Sequence, residues 1–355
     1  MQNPFKFLDA FQKDDKELFF GREKETAQLY NAVFASNLTL LYGASGTGKT
    51  SLVNCGLGNK FYDTDWVPLF IRRGNNINHA INTAIRSGLT DSIPDDFETL
   101  EVPEKLRLLY LDHYKPIYLI FDQFEELFIL GSKKEQQQFY QSIATLLKAG
   151  LQAKVLLIIR EEWIAHLNDL ERIIPTLFDN RLRVERMNDR NIYRVISGTA
   201  RYADIKVNSP SETILAIIDN LRDKNERVDL TNLQVYLDRL FREAEQKSKV
   251  EGKDTITFDL SLVRKLGQMS NVLSSFLDEQ MTIIEQNIKE KFGKPVVKGL
   301  PLEVLFTLVT DDGTKQALDL TQINAALPKN RKLEKAELTY IMQEFERVKL
   351  LRALD

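Results

Sequence analysis

Apolar residues follow two different rhythms along this chain. In the first half, residues 37–42 (NLTLLY), 66–71 (WVPLFI), 116–122 (PIYLIFD) and 155–159 (VLLII) are short runs with almost no polar alternation. Such runs predict strands buried on both faces, as in a parallel sheet covered by helices. Residues 182–184, within RLRVERM, are a weaker strand candidate. Between the runs the spacing is helical: Ala27, Tyr30, Val33 and Phe34 share a face, with Leu29 alongside. Further helices are predicted from about Lys49, over 106–114 and over 134–149. Strands alternating with helices from about residue 20 to 190 predict an α/β layered fold.

After that the pattern is helical only. Ile214, Ile217, Ile218 and Leu221 fall on one helical face, with Ser209 as the expected cap and Pro210 in the first turn. Residues 230–246 and 260–280 also read as helices. From Lys298 the elements shorten to three helices and a final strand at 349–353, the outline of a winged helix. Leu338, Ile341, Met342, Phe345 and Val348 form a core stripe in its third helix. A wing needs a second strand and the sequence ends before one, so the expectation is a winged helix cut short.

Composition narrows the class. A length of 355 residues suggests two or three domains. With 43% hydrophobic and 28% charged residues the chain reads as globular. No run of 18 apolar residues is present, so no spanning helix and no membrane partner is expected. No secretory pattern opens the chain, and a single cysteine, Cys55, fits a reducing compartment, so the expected location is cytoplasmic. Cys55 itself, in the apolar run LVNC, reads as a packed helix thiol. His79, His113 and His166 are far apart and no Cys/His cluster exists, so no zinc site is expected. A net charge of −3 gives no global attraction to nucleic acid.

The chemistry begins where the first apolar run ends. GASGTGKTS, residues 43–51, fits the phosphate-loop pattern G-x-x-x-x-G-K-[ST] from Gly43 to Thr50. Composition alone would produce such a match in roughly one chain of this length in a hundred. Here it also lies between a predicted strand and a predicted helix, the context the loop requires. Its glycines let backbone N–H groups turn toward phosphates, and the helix N-terminus adds favourable partial charge. Ser45, Gly46, Thr47, Gly48 and Ser51 complete the expected cradle. Lys49 would reach the β- and γ-phosphates and Thr50 would hold Mg²⁺ through its hydroxyl. Asp122, at the end of the apolar run PIYLIFD, is placed to contact the same cation through water. The next residue is Gln123, whose amide can orient a water molecule but cannot take its proton. Glu125 and Glu126 lie one turn further on, and only one of them can face back to the nucleotide. Slow turnover is therefore expected. Arg160, directly after VLLII, is placed to read a γ-phosphate, or else to pair with the neighbouring Glu161 or Glu162.

In order and spacing, ELFFGREKE, GASGTGKTSLVNCGL, LIFDQFEELF and LLIIREEW resemble the novel STAND NTPase family over roughly residues 4–250. These are signal-transduction ATPases of the AAA+-related type, common in bacterial multidomain proteins, some of which act in anti-phage defence. The resemblance implies a P-loop NTPase domain, a helical domain and a winged helix that together clamp ATP or ADP with Mg²⁺. It places Phe20, Gly21 and Arg22 along the adenine and ribose, Thr50 and Asp122 on the cation, and Arg160 at the γ-phosphate. Many relatives carry LPLLQ in the helical domain, with the proline on the base; this chain has Thr231 at the proline position. The implied organisation is a lead-in (1–20), a nucleotide-binding domain (21–195), a helical lid (196–290) and a winged helix (291–355).

The expected function is an ATP-binding, slowly hydrolysing switch that forms a homo-oligomer in the ATP state, with effector and sensor parts outside this chain. Arg181, Arg183 and Arg186 are candidates to act across such an assembly, although an exposed charged strand edge is the favoured reading of each. The alternative is a DNA-bound AAA+ initiator or transposition regulator. That reading needs a basic face, yet residues 281–355 carry twelve Lys and Arg against eleven Asp and Glu, with one local cluster at Lys329, Arg331, Lys332 and Lys335. A third reading is a pseudo-ATPase that holds ADP only as structural glue.

Overall fold

Within the computed structural model, which describes residues 3–90, 93–293, 297–309, 316, 318–348 and 350–351, five parallel strands form one sheet. They are β1 (Leu38–Gly43), β2 (Val67–Ile71), β3 (Ile117–Phe121), β4 (Ala153–Arg160) and β5 (Arg181–Arg183), in the order β2-β3-β4-β1-β5. All five runs read from the sequence are strands, the weak candidate included. Each strand end lies within two residues of its expected place.

The sheet is covered on both faces, which is why its strands lack polar alternation. Leu119 and Phe121 of β3 join one core with Leu40, Val155, Leu157 and Ile159. Tyr118 and Ile120 point the other way and pack with Leu41, Leu156 and Ile158. The first face is closed by the helices Ile77–Gly88, Val102–His113 and Lys133–Lys148, through residues such as Ile81, Leu106 and Phe139. The second is closed by the helix Glu23–Ala35, through Leu29 and Val33, and by the segment that follows the phosphate loop, through Leu52, Val53 and Leu57. Truncating Phe121, buried in the sheet, would cost about 3–5 kcal/mol.

Three local features depart from the expectations. The helix after the phosphate loop is α-helical only over Lys49–Ser51 and continues as a wider π-turn over Leu52–Leu57. Ser209 stands at the N-cap of the helix Pro210–Leu221, but its side chain makes no capping hydrogen bond and its backbone is left-handed, with φ 42°. The single helix expected over 260–280 is two, Leu260–Leu266 and Met269–Phe292, separated at Gly267 where φ is +70°. An L residue in a continuing helix cannot adopt that conformation, and glycine can. A short parallel pair of strands, Lys206–Val207 and Thr257–Phe258, was not legible in the sequence, because two residues show no period.

The chain divides into two compact units, residues 1–265 and 266–355. Besides the sheet, the first contains Asp189–Tyr202, Pro210–Leu221 and Leu230–Glu251, the last of which buries Leu233, Tyr236, Leu237, Leu240 and Phe241. Its N-terminal segment crosses that long helix. Asn3 Nδ2 donates to Asp238 Oδ1 (2.7 Å), and the Lys6 amide donates to Gln234 Oε1 (3.1 Å). Phe5 packs against Phe241 and Phe258, and the Phe11 amide donates to Ser51 Oγ (3.1 Å), just past the phosphate loop.

In the second unit, Met269–Phe292, Leu300–Phe306, Leu320–Ala326 and Lys335–Arg347 enclose a core of Ile284, Ile288, Val304, Ile323, Leu338, Ile341 and Phe345. Met342 and Val348 of the expected stripe pack at its border. The final strand expected at 349–353 falls mainly outside the described residues, and Leu350 and Leu351 are not in a strand.

Candidate functional site

Because every strand is parallel, the carboxyl ends of β1, β3 and β4 open on one edge of the sheet, where a crevice for ligands forms. β1 delivers the phosphate loop. Gly46 and Gly48 have φ of +71° and +81°, conformations open to glycine, and these turns lead the chain into the helix at Lys49. Thr47 is buried and donates to the Ala44 carbonyl (3.0 Å), while Ser45 is exposed at the tip. Lys49 Nζ lies over the loop and donates to the Gly43 (2.8 Å) and Ala44 (2.9 Å) carbonyls. Burial lowers the Lys49 ammonium below the usual lysine value, and the nearby Glu125 carboxylate opposes that shift.

β3 delivers the carboxylates. The Asp122 amide donates to the Ile71 carbonyl of β2 (2.9 Å) and the Phe124 amide to the Ile158 carbonyl of β4 (2.9 Å), so residues 122–124 are anchored on both neighbouring strands. Between these anchors Gln123 takes a left-handed backbone, φ 56°. Thr50 Oγ1 donates to Asp122 Oδ1 (3.0 Å), joining the two residues expected on the cation. A hydroxyl that gives its proton to a carboxylate keeps oxygen lone pairs for a metal, and the donor set is all oxygen, as Mg²⁺ prefers. Among the described residues no group of three or more His, Cys, Asp or Glu side chains could hold an ion alone. A cation here would therefore rely on phosphate oxygens and water.

The two glutamates separate clearly. Glu125, only 4% exposed, accepts from Arg160 Nε through Oε1 (2.9 Å) and from the Arg160 amide through Oε2 (3.3 Å). Arg160 thus pairs with Glu125 and not with Glu161, which is held by Arg183 (2.9 Å). Glu126 is half-buried, and burial raises its carboxyl above the usual range, with Arg72 opposing. Glu125 is consequently the residue of the pair that faces Lys49 and Arg160.

Phe20, Gly21 and Arg22 lie beside the loop and connect it to the helix Asp189–Tyr202. Phe20 stacks so closely on Gly198 that a Cβ there would sit 2.9 Å from its ring, and Gly21, with φ +82°, approaches the Asn191 carbonyl. Arg22 is hydrogen-bonded to the phosphate loop. Its Nη2 donates to the carbonyls of Thr47 and Glu185 (2.9 Å each), and its Nη1 pairs with Glu25 (2.5 Å). Ser51 Oγ accepts from the Phe11 amide (3.1 Å).

Two groups escaped the sequence reading. Arg72, just after β2, places Nε (3.1 Å) and Nη2 (2.6 Å) on Asp122 Oδ2. Nothing in FIRRG separates it from Arg73, which is buried and held by Glu135 (2.8 Å). Asp229 caps the Leu230–Glu251 helix and lies against Gly46, where a Cβ would come within 1.7 Å of its Oδ2. The Leu230 amide donates to the Gly46 carbonyl (3.1 Å), so the helix start rests directly on the phosphate loop. Thr231, at the position of the relatives' proline, gives its amide to Asp229 Oδ1 (2.8 Å).

Sheet order, phosphate loop and flanking helices define a P-loop NTPase. The chain belongs to the Novel STAND NTPase 1 family, whose model matches residues 4–352, nearly its whole length. Among curated proteins nothing matches it. Solved structures with a related outline include the Aeropyrum pernix ORC2 protein in its ADPNP–ADP complexes, 13% identical over 93% of this chain and 86% of that one, with a TM-score of 0.49. A Walker-type ATPase of Pyrococcus abyssi is 15% identical over 97% and 93%, with a TM-score of 0.49. The Aeropyrum pernix ORC1 protein in complex with DNA is 15% identical over 94% and 84%, with a TM-score of 0.48. Likeness at that level adds nothing to the family membership.

Proposed function

We propose that this chain is the nucleotide-binding core of a signalling switch, one that binds ATP or ADP with Mg²⁺, hydrolyses slowly and self-associates in its ATP state. The single observation that carries the reading is the contact of Asp229 and Leu230 with Gly46. The helical segment touches the loop that would hold the phosphates, so the occupant of the loop can set the position of the helix. Lys49 and the N–H groups of 45–51 would take the phosphates, and Thr50 and Asp122 the cation. Gln123 would orient water and Arg160 would read the γ-phosphate. When bound, Mg²⁺ would neutralise phosphate charge. Slow turnover follows because the inward carboxylate, Glu125, is already engaged by Arg160 and Gln123 cannot accept a proton.

The three-part division at 195 and 290, a cytoplasmic setting, and effector and sensor parts outside this chain belong to the same reading, as does a role in anti-phage defence. Among the described residues no helix is long and apolar enough to cross a membrane. Two of the four members of the basic cluster on which the DNA-binding alternative rests are engaged by neighbouring groups. Lys332 donates to the Asn324 and Ala325 carbonyls, and Arg331, only 22% exposed, lies 3.4 Å from Glu303.

The test is the nucleotide content of the purified protein, followed by single-turnover hydrolysis by wild type and Lys49→Ala. Retained ADP and slow, Lys49-dependent turnover are expected. Fast steady turnover would move the protein to the motors and loaders, and indifference to Lys49→Ala would remove the phosphate loop from its function.

A further inference from the structure

We propose that Arg72 is a positioning residue that competes with the divalent cation for Asp122, so that the cation enters only when the arginine leaves. This rests on the nucleotide reading above and extends it to how the metal is admitted. Both carboxylate oxygens of Asp122 are committed. Oδ1 accepts the Thr50 hydroxyl (3.0 Å), and Oδ2 accepts Nε (3.1 Å) and Nη2 (2.6 Å) of Arg72. A guanidinium delivering two N–H groups to one oxygen supplies the positive charge that a cation, or its bound water, would supply there. Two cationic partners on one small carboxylate repel one another, and Asp122 is only 7% exposed, so water screens them weakly.

The two arginines after β2 show that this is not simple anchoring. Arg73 is the structural member: it is 8% exposed and held by the Glu135 carboxylate (2.8 Å) together with the Gly74 (3.0 Å) and Leu130 (3.2 Å) carbonyls. The Arg72 side chain is 34% exposed and hydrogen-bonds to Asp122 through Nε and Nη2. It can therefore swing away without opening a core, and the half-buried Glu126 carboxylate faces the same region. Held in this way, Asp122 is charge-balanced by Arg72, and Thr50 is kept in register by its bond to Oδ1. The geometry gives the protein a threshold for the cation rather than a preformed metal site.

The experiment titrates Mn²⁺ into the protein–ADP complex and follows bound metal by electron paramagnetic resonance, with ADP binding measured separately in EDTA using a fluorescent analogue. Wild type is compared with Arg72→Gln, which removes the charge, and Arg72→Lys, which keeps the charge but not the two-pronged grip. Half-saturating Mn²⁺ is expected to fall by roughly tenfold in Arg72→Gln, the weight of about one charge-assisted hydrogen bond, and by less in Arg72→Lys. A half-saturation that is unchanged or raised in both variants would overturn the proposal, since Arg72 would then be assisting the metal or ignoring it. Thermal melts of the variants separate a lost fold from a changed metal affinity. If one variant fails to fold, the other decides. Failure of the wild type to bind ADP, both in EDTA and with metal, would instead overturn the nucleotide reading itself, an outcome read from the nucleotide signal alone and independent of Arg72.

Discussion

Glu125 grips Arg160 twice, through the side chain at 2.9 Å and through the backbone amide at 3.3 Å, and so fixes the end of β4 to the turn after β3. If this pair aims Arg160 at the γ-phosphate, Glu125→Gln should slow single-turnover hydrolysis by about tenfold, the weight of one charge-assisted hydrogen bond, while ADP remains bound. Arg160→Ala should leave ADP binding in place but lose about tenfold in preference for a non-hydrolysable ATP analogue. Titration calorimetry with both nucleotides checks the second expectation. Equal loss of both would mean that Arg160 holds the fold and not the γ-phosphate.

Gly46 offers a sharper probe of the helix–loop contact. Gly46→Ala would drive a Cβ into the Asp229 carboxylate and strain a backbone with φ +71°. It is expected to abolish nucleotide retention and to expose the start of the Leu230–Glu251 helix to hydrogen exchange. Asp229→Ala should cost about 1 kcal/mol, the worth of an N-cap. An exchange pattern unaltered by Gly46→Ala would deny that the loop and helix are coupled.

Gln123 occupies a conformation that costs an L residue about 1–2 kcal/mol. Gln123→Gly should therefore leave stability within about 1 kcal/mol of wild type, even though a whole side chain is removed. Hydrolysis should slow in the same variant, because no amide remains to orient water. Denaturant melts and single-turnover assays read the two effects independently, and a large loss of stability would show that the Gln123 side chain packs rather than waits on substrate.

Burial raises the Glu126 carboxyl, so the folded protein binds that proton more readily than the unfolded chain does. Stability is then lost as pH rises from the ordinary carboxylate range through the raised value, and the full penalty is present at neutral pH. Glu126→Gln is expected to melt higher than wild type at pH 7.5, with the advantage shrinking as pH falls through the raised value into the ordinary carboxylate range. An advantage equal at every pH would assign it to packing instead.

The positions of the sheet and the phosphate loop could be read directly, because β3 is apolar at every residue and the loop pattern sits where a strand meets a helix. Asp122 and Thr50 were legible for the same reason, each being fixed by its distance from a strand or a motif. Arg72 was not, since the difference between it and Arg73 arises from what surrounds β2, and neighbouring arginines carry identical local signals. Asp229 was hidden for a second reason: its partner Gly46 is 183 positions away, and no periodicity spans that interval. The helix Ile77–Gly88 has a regular face of Ile77, Ile81 and Ile85, yet it went unread beside the louder motifs. In Leu260–Leu266, a single glycine outweighed an otherwise continuous helical spacing.

The segment from Asn3 to Phe11 acts as a leash between the long helix and the phosphate-loop helix. Its attachments are strung out in a row, at Asp238, then Gln234, then Ser51. Swinging the long helix away from the loop would shear these bonds one after another, each worth about 1 kcal/mol, rather than all together. Opening would therefore resemble the unzipping of a seam, with partly undone stages, and the travel of the helix would be limited by how far the seam has run.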